Sequence, residues 1–272
     1  MNSKIIKRNI ERIKSAAFLF WYRRRGLLVK QAAYMDCQIL VRANEDVGIL
    51  ILADGFEKVD LTYILSELRD GDVFFDVGAN VGLFSLAVAK KNKTIDVHAF
   101  EPIPLNAALF EASLHLNAID TVKINRTCVG DKQGQVEFSL AADSAYSSIH
   151  NTGRKSEVTK IIVPVTTLDN YLESSSLKRI DIIKVDVEGA ENLVLDGARY
   201  IFNNSSLRPR LVLMELFDEY FYLFNTSISN IVKIMQGYGY EGFVFEKSNR
   251  TKFEVRHHNK IFNVFFECRS ES

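Results

Sequence analysis

The sequence predicts an α/β fold: a mostly parallel sheet with an antiparallel edge and helices on both faces. Three observations carry that expectation. From Val73 onward, short apolar runs rich in β-branched and aromatic residues alternate with helical patterns, the order of a parallel sheet covered by crossovers. The first run, Asp72-Val-Phe-Phe-Asp76-Val, breaks into a glycine-containing turn that opens a helix. Two strand-like runs close the chain and supply the antiparallel edge.

The elements follow in order. Ile6, Ile10, Ile13, Ala17 and Phe20 keep helical spacing among basic residues, so the N-terminus reads as a basic amphipathic helix. Residues 37–54 read as two short strands around the turn signal Asn44-Glu45-Asp46, and residues 57–68 as a helix. The alternation then runs strand 73–77, helix 83–90, strand 95–100, helix 104–117 with Pro104 in its first turn, and strand 123–129. A hairpin-like excursion covers 135–140 and 160–165. Strand 180–185, helix 190–202, strand 211–215 and helix 229–236 precede the late strands 242–246 and 261–267. Residues 141–159 form the longest polar stretch, a binding loop or a solvated crossover. The expected division is an extension over residues 1–55 and a catalytic domain over residues 56–272.

Composition narrows the function. Thirty-four basic residues balance thirty-four acidic ones, which excludes a general nucleic-acid binder. No apolar run approaches the 18 or more residues of a membrane span. Three widely spaced cysteines, Cys37, Cys128 and Cys268, form neither a disulfide framework nor a zinc pattern; they read as reduced thiols of a cytoplasmic protein. The neutral total hides an asymmetry. Residues 1–30 carry nine basic residues against Glu11 alone, a net +8 that the remainder offsets with −8. Such a helix either lies on an anionic membrane surface as a peripheral contact, or packs on its own domain or on a second copy of the chain.

The chemistry concentrates at strand ends. In Asp76-Val-Gly78-Ala79-Asn80-Val-Gly82, Gly78 is read as admitting a ligand to the backbone and Gly82 as packing helix on strand. The pattern is G-x-N-x-G rather than G-x-G-x-x-G, which speaks against a dinucleotide pyrophosphate loop. Asp76 would repel a pyrophosphate and favour an ammonium group. Glu101 closes the next strand about 20 residues on, where a carboxylate grips ribose hydroxyls. In Lys184-Val-Asp186-Val-Glu188-Gly189-Ala-Glu191, a buried lysine calls for a carboxylate partner, Asp186 or Glu188. Asp186, Glu188 and, on the following strand, Glu215 converge on one sheet edge. They are the catalytic candidates: they either take a proton from an acceptor hydroxyl or hold a divalent metal, Mg or Mn, that does so. Ser147, Ser148 and His150 in the polar loop are substrate-side candidates, with His150 the alternative base.

Taken together, DVGANVGLFSL, AFEP, SSI (147–149), VTTLDNYL (165–172), IDIIKVDVEGAENLVLDGA (180–198) and MEL (214–216) resemble the FkbM-type methyltransferases over about residues 70–216. The resemblance implies a Rossmann-like class I methyltransferase domain that uses S-adenosyl-L-methionine. It places Asp76, Gly78, Ala79, Asn80 and Gly82 around the amino-acid end of the cofactor, Glu101 on its ribose, Pro102 in the turn after it, and the adenine contact in 127–131. It implies transfer to a hydroxyl of a carbohydrate, glycan precursor or related natural product. The strand end Asp-Val-Glu-Gly, in place of Asn/Asp-Pro-Pro-Tyr/Phe, also favours an oxygen acceptor. A homo-oligomer is compatible with this reading. Two alternatives stay beside it: a nicotinamide-dependent oxidoreductase, and a non-catalytic module anchored by the basic helix.

Overall fold

In a computed structural model, residues 29–141, 143–144, 147–149, 157–246, 249–255 and 260–268 are described. The basic helix expected near the N-terminus and His150 lie outside the described residues.

The chain opens with a hairpin, β1 (Val29–Tyr34) and β2 (Cys37–Arg42), paired antiparallel around Met35 and Asp36, both left-handed. Two consecutive positive-φ residues match the right-handed twist of a two-residue hairpin. Helix α1 (Asp46–Leu52) follows. This corrects the expectation of a second strand after Asn44. The β-branched run Val47–Leu52 imitates a strand, but Ile49 and Ile51 are buried on a helix packed over β2.

Helix α2 (Lys58–Glu67) leads to β3 (Val73–Val77), α3 (Leu83–Lys91), β4 (Asp96–Phe100), α4 (Pro104–Leu116) and β5 (Val122–Asn125). The expected strand 123–129 is split. β5 stays in the large sheet, whereas β6 (Cys128–Val129) joins β7 (Gly134–Ala141) and β8 (Glu157–Thr166) in a three-stranded sheet of order β6-β8-β7. Then come α5 (Leu168–Ser175), β9 (Ile182–Val185), α6 (Glu191–Asp196), α7 (Arg199–Asn203), β10 (Leu211–Leu216), α8 (Asp218–Phe221), a 3₁₀ turn (Tyr222–Phe224), α9 (Ile228–Gly237), β11 (Tyr240–Glu246), β12 (Asn249–Lys252) and β13 (Phe262–Cys268). The single helix expected over 190–202 breaks at Gly197, where a Cβ would stand 2.0 Å from the Gly130 carbonyl oxygen.

The large sheet has the order β12-β11-β13-β10-β9-β3-β4-β5. The run from β10 to β5 is parallel and the edge through β13, β11 and β12 is antiparallel. All five residues of β3 are buried, as a strand covered on both faces requires. Alternation divides them between two cores. Phe74 packs with Ile39, Val41, Leu61, Phe84 and Phe110 under the hairpin and helices α2–α4. Phe75 packs with Leu168, Val194, Phe202, Ile231 and Met235 under α5–α7 and α9. The hairpin and α1 therefore share a core with the sheet. Chain order runs from β3 outward to β4 and β5, and from β9 outward to β10, so the direction switches between β3 and β9. A crevice outside the carboxyl ends of strands at such a switch is where open α/β sheets bind ligands. No helix among the described residues is long and apolar enough to cross a membrane.

Candidate active site

A cavity of about 300 Å³ opens at that switch. The turn after β3 forms one wall. Gly78 has φ +80, and a Cβ there would lie 1.8 Å from the Asp186 carbonyl oxygen, so a side chain is excluded by the neighbouring strand end. The amides of Gly78 and Ala79 both donate to the Phe100 carbonyl at 3.0 Å, which pins the turn to the end of β4. Gly78, Ala79 and Asn80 line the cavity. Gly82 instead packs under Phe110, whose ring atom a Cβ would approach to 2.1 Å.

Glu101 ends β4 and is 4% exposed. One carboxylate oxygen accepts the Asn80 amide at 2.8 Å; the other accepts the Ile103 amide at 2.8 Å, with Asn106 Nδ2 at 3.5 Å. Burial pushes the group up to about 7, against the downward pull of these donors. A carboxylate offers about four acceptor positions, so capacity remains toward the cavity that Glu101 lines beside Pro102 and Ile103. Thr127, Cys128 and Val129 line it from the region expected to meet adenine.

Asp76 sits elsewhere. It is fully buried, does not line the cavity, and accepts from the Ser85 amide and hydroxyl at 3.1 and 2.7 Å. In β3 it shares a face with Phe74, so alternation turns it beneath α3. Its neighbour across the sheet is Lys184, in register on β9. The Lys184 ammonium bonds the Gly78 carbonyl and Asp186 at 3.0 Å each and lies 3.8 Å from Asp76. Burial opposes its charge, but Asp186, Asp76 and Glu57 together hold the ammonium above the ordinary lysine range. The partner expected for this lysine is thus Asp186.

Asp186, Glu188 and Glu215 all line the cavity. Asp186 and Glu215 meet a third carboxylate from Glu57, with one oxygen from each within 4.8 Å of the others. Glu188 is not part of that trio; its backbone is left-handed, φ 56, and its carbonyl accepts from Ser148 Oγ at 3.2 Å. Glu57 arrives from the left-handed residue before α2, some 130 residues from Asp186 in sequence, and sequence reasoning missed it. Burial raises Glu57 to about 8, with Asp186 and Asp60 adding to it and the Lys184 ammonium and the Asn263 hydrogen bond pulling the other way. Glu215 is pushed well above the carboxylate range by burial, then by Asp186, Glu188 and Glu57. Ser147 and Ser148 are buried beside the cavity, and Ser147 lines it.

A raised carboxylate pKa has a signed consequence. Glu57 keeps its proton in the folded state between about pH 4.5 and 8, whereas the unfolded chain loses it near 4.5. Its contribution to stability is therefore undiminished below the unfolded value and is lost as pH rises toward 8. Glu57→Gln removes this loss. The melting temperature of E57Q minus that of the wild type should grow between pH 5 and 8.5; a difference that shrinks with pH would contradict the assigned environment.

The fold, with its sheet order β5-β4-β3-β9-β10-β13-β11, is that of a Rossmann-like class I methyltransferase. The chain belongs to the FkbM methyltransferase family: the methyltransferase FkbM domain matches residues 76–241, more than half of its length. It is similar to methyltransferase 1 of Beauveria bassiana, 26% identical over 157 residues, covering 51% of this chain and 63% of that protein. It is similar to the 31-O-demethyl-FK506 methyltransferase FkbM of Streptomyces tacrolimicus, 26% identical, covering 64% of this chain and 74% of that one. The hexuronic acid methyltransferase AglP of Haloferax volcanii is 28% identical, over 64% of this chain and 69% of that protein.

Proposed function

We propose that the protein transfers a methyl group from S-adenosylmethionine to a hydroxyl oxygen of a carbohydrate, glycan or related natural-product acceptor. The observation that carries this reading is the meeting, in one cavity, of the Gly78–Asn80 turn, Glu101 and the carboxylates of Glu57, Asp186 and Glu215. The name of the 31-O-demethyl-FK506 methyltransferase supports an oxygen acceptor, and that of the hexuronic acid methyltransferase a sugar. The residues present fit the cofactor: backbone approachable at Gly78, a buried carboxylate with spare acceptor capacity for a diol, and an apolar wall of Phe84, Phe100, Phe138 and Ile149. When bound, the cofactor supplies an electrophilic methyl carbon on a positively charged sulfur.

The remaining work falls to the chain. The cavity walls hold the acceptor oxygen in line and exclude water, so that rate comes chiefly from positioning. A neutral hydroxyl must lose its proton during transfer. The trio is suited to receive it, because a carboxylate raised toward neutrality is a better base than an ordinary one. The base form then grows as pH rises toward 8, the opposite of the trend for a protonated catalyst. The same oxygen-only donor set matches Mg or Mn, which would lower the pKa of a bound hydroxyl. Glu188 and Ser147 stand on the acceptor side. The reading places the enzyme in the cytoplasm, with residues 1–30 available for a peripheral membrane contact or a second copy of the chain.

Two results test it. Glu101→Ala should weaken S-adenosylhomocysteine binding by about 1.5–3 kcal/mol for each charge-assisted hydrogen bond lost, measured by calorimetry. Unchanged affinity would remove Glu101 from the ribose. Deleting residues 1–25 should leave that affinity intact, because the cofactor motifs all lie beyond position 70 and, among the described residues, the cavity lining begins at Asp46. A folded truncation that no longer binds would make the segment part of the site.

A further inference from the structure

Part of the cavity lining comes from three segments far apart in sequence, tied to one another by buried polar groups. Glu45, in the loop before α1, is 5% exposed and pairs with Arg42. Its carboxylate accepts the Ser144 amide at 3.1 Å and the Ser144 hydroxyl at 2.6 Å. The next amide, of Asp46, donates to Asp143 at 2.7 Å. The one Ser144 hydroxyl hydrogen is shared between Glu45 and Asn106 Oδ1, which accepts at 3.1 Å, and Asn106 Nδ2 donates to Glu101 at 3.5 Å. Asn106, Ser144 and Asp143 are 1, 7 and 5% exposed. Asp46, Asn106 and Ser144 line the cavity.

Burying this many polar groups is unfavourable unless each finds a partner, and a satisfied network then selects one arrangement. An apolar contact between α1 and the loop would hold them together without that penalty. The polar chain does something packing cannot: it ends on Glu101, whose orientation decides where a ribose diol can be accepted.

We infer that Glu45, through Ser144 and Asn106, is a positioning residue for Glu101, so that the segment before α1 sets the geometry of the cofactor site. This rests on the cofactor reading above. The extension thereby divides in function: residues 1–25 are dispensable for cofactor binding and residues 42–46 are not.

The test is a double-mutant cycle on the affinity of the full chain for S-adenosylhomocysteine, with melting temperature followed in parallel. Glu45→Ala and Ser144→Ala should each weaken binding about 3- to 30-fold, the range of energetic coupling through a packed network. The E45A/S144A double variant should be no weaker than the poorer single variant by more than about twofold, because both interrupt one path. Glu45→Gln, which can still face both Ser144 groups, should recover most of the loss. If E45A does not fold, S144A and E45Q carry the test. Wild-type affinity in E45A and S144A would overturn the inference. So would additive losses that track melting temperature, with E45Q no better than E45A, since a purely structural contact behaves that way. Loss in E101A without loss in E45A or S144A defeats this inference alone; absence of binding to the wild type defeats the cofactor reading and this inference with it.

Discussion

Lys184→Met should destabilise the protein by about 3–5 kcal/mol, the cost of leaving buried carboxylates without their cation. Lys184 is 6% exposed, and its ammonium is the shared partner of Asp186, Asp76 and the Gly78 carbonyl. Asp76 already has one buried oxygen with no hydrogen-bond partner, so the ion pair with Lys184 is what compensates it. Urea denaturation gives the number directly. The companion variant K184M/D76N should lose less than K184M alone, because the asparagine keeps an acceptor for Ser85 without a charge. A loss below about 1 kcal/mol in K184M would show that the lysine is not the hub of the strand ends.

The larger effect is expected on turnover. Of Asp186→Asn, Glu215→Gln, Glu57→Gln and Glu188→Gln, at least one should lower methyl transfer by about 10²–10⁴-fold, the usual contribution of a general base. These substitutions keep shape and remove charge, so the affinity for S-adenosylhomocysteine reports whether the loss is chemical. If the group works through a metal, a chelator abolishes activity and Mg or Mn restores it. If it works directly, the chelator has no effect, and the rate falls as pH drops through the titration of that carboxylate, below about 8 where the group is Glu57. Full activity in all four variants would refute the assignment and leave His150 as the leading base.

Much of the candidate site was legible because it is local. A five-residue strand ending in a glycine turn, with a carboxylate at the next strand end, fixes neighbours along short stretches of chain. Glu101, the Gly78–Asn80 turn, Asp186 and Glu215 are all found at the sheet edge where their strands deliver them. Asp76 stands apart from the cavity lining: period-two alternation puts it beneath α3 with Phe74, and that signal was present in the sequence. Gly78 is small chiefly because the Asp186 carbonyl stands where its Cβ would be, a contact about 108 residues away that no local pattern encodes. Glu57 and Glu45 were illegible for the same reason. Each lies beside a helix start and looks like an ordinary solvated acid; only the packing of the hairpin, α1 and α2 against the sheet buries Glu45 against Ser144 and brings Glu57 to the cavity. The run Val47–Leu52 was misread because β-branched residues favour strands until tertiary packing overrides them.

The account turns on what the cavity binds, and an isothermal titration of the full chain with S-adenosylhomocysteine addresses it most directly. The expected result is one molecule bound per chain, displaced by S-adenosylmethionine, weakened in Glu101→Ala and unaffected by a reduced nicotinamide dinucleotide. No heat on folded protein, or displacement of the ligand by the nicotinamide dinucleotide, would contradict it.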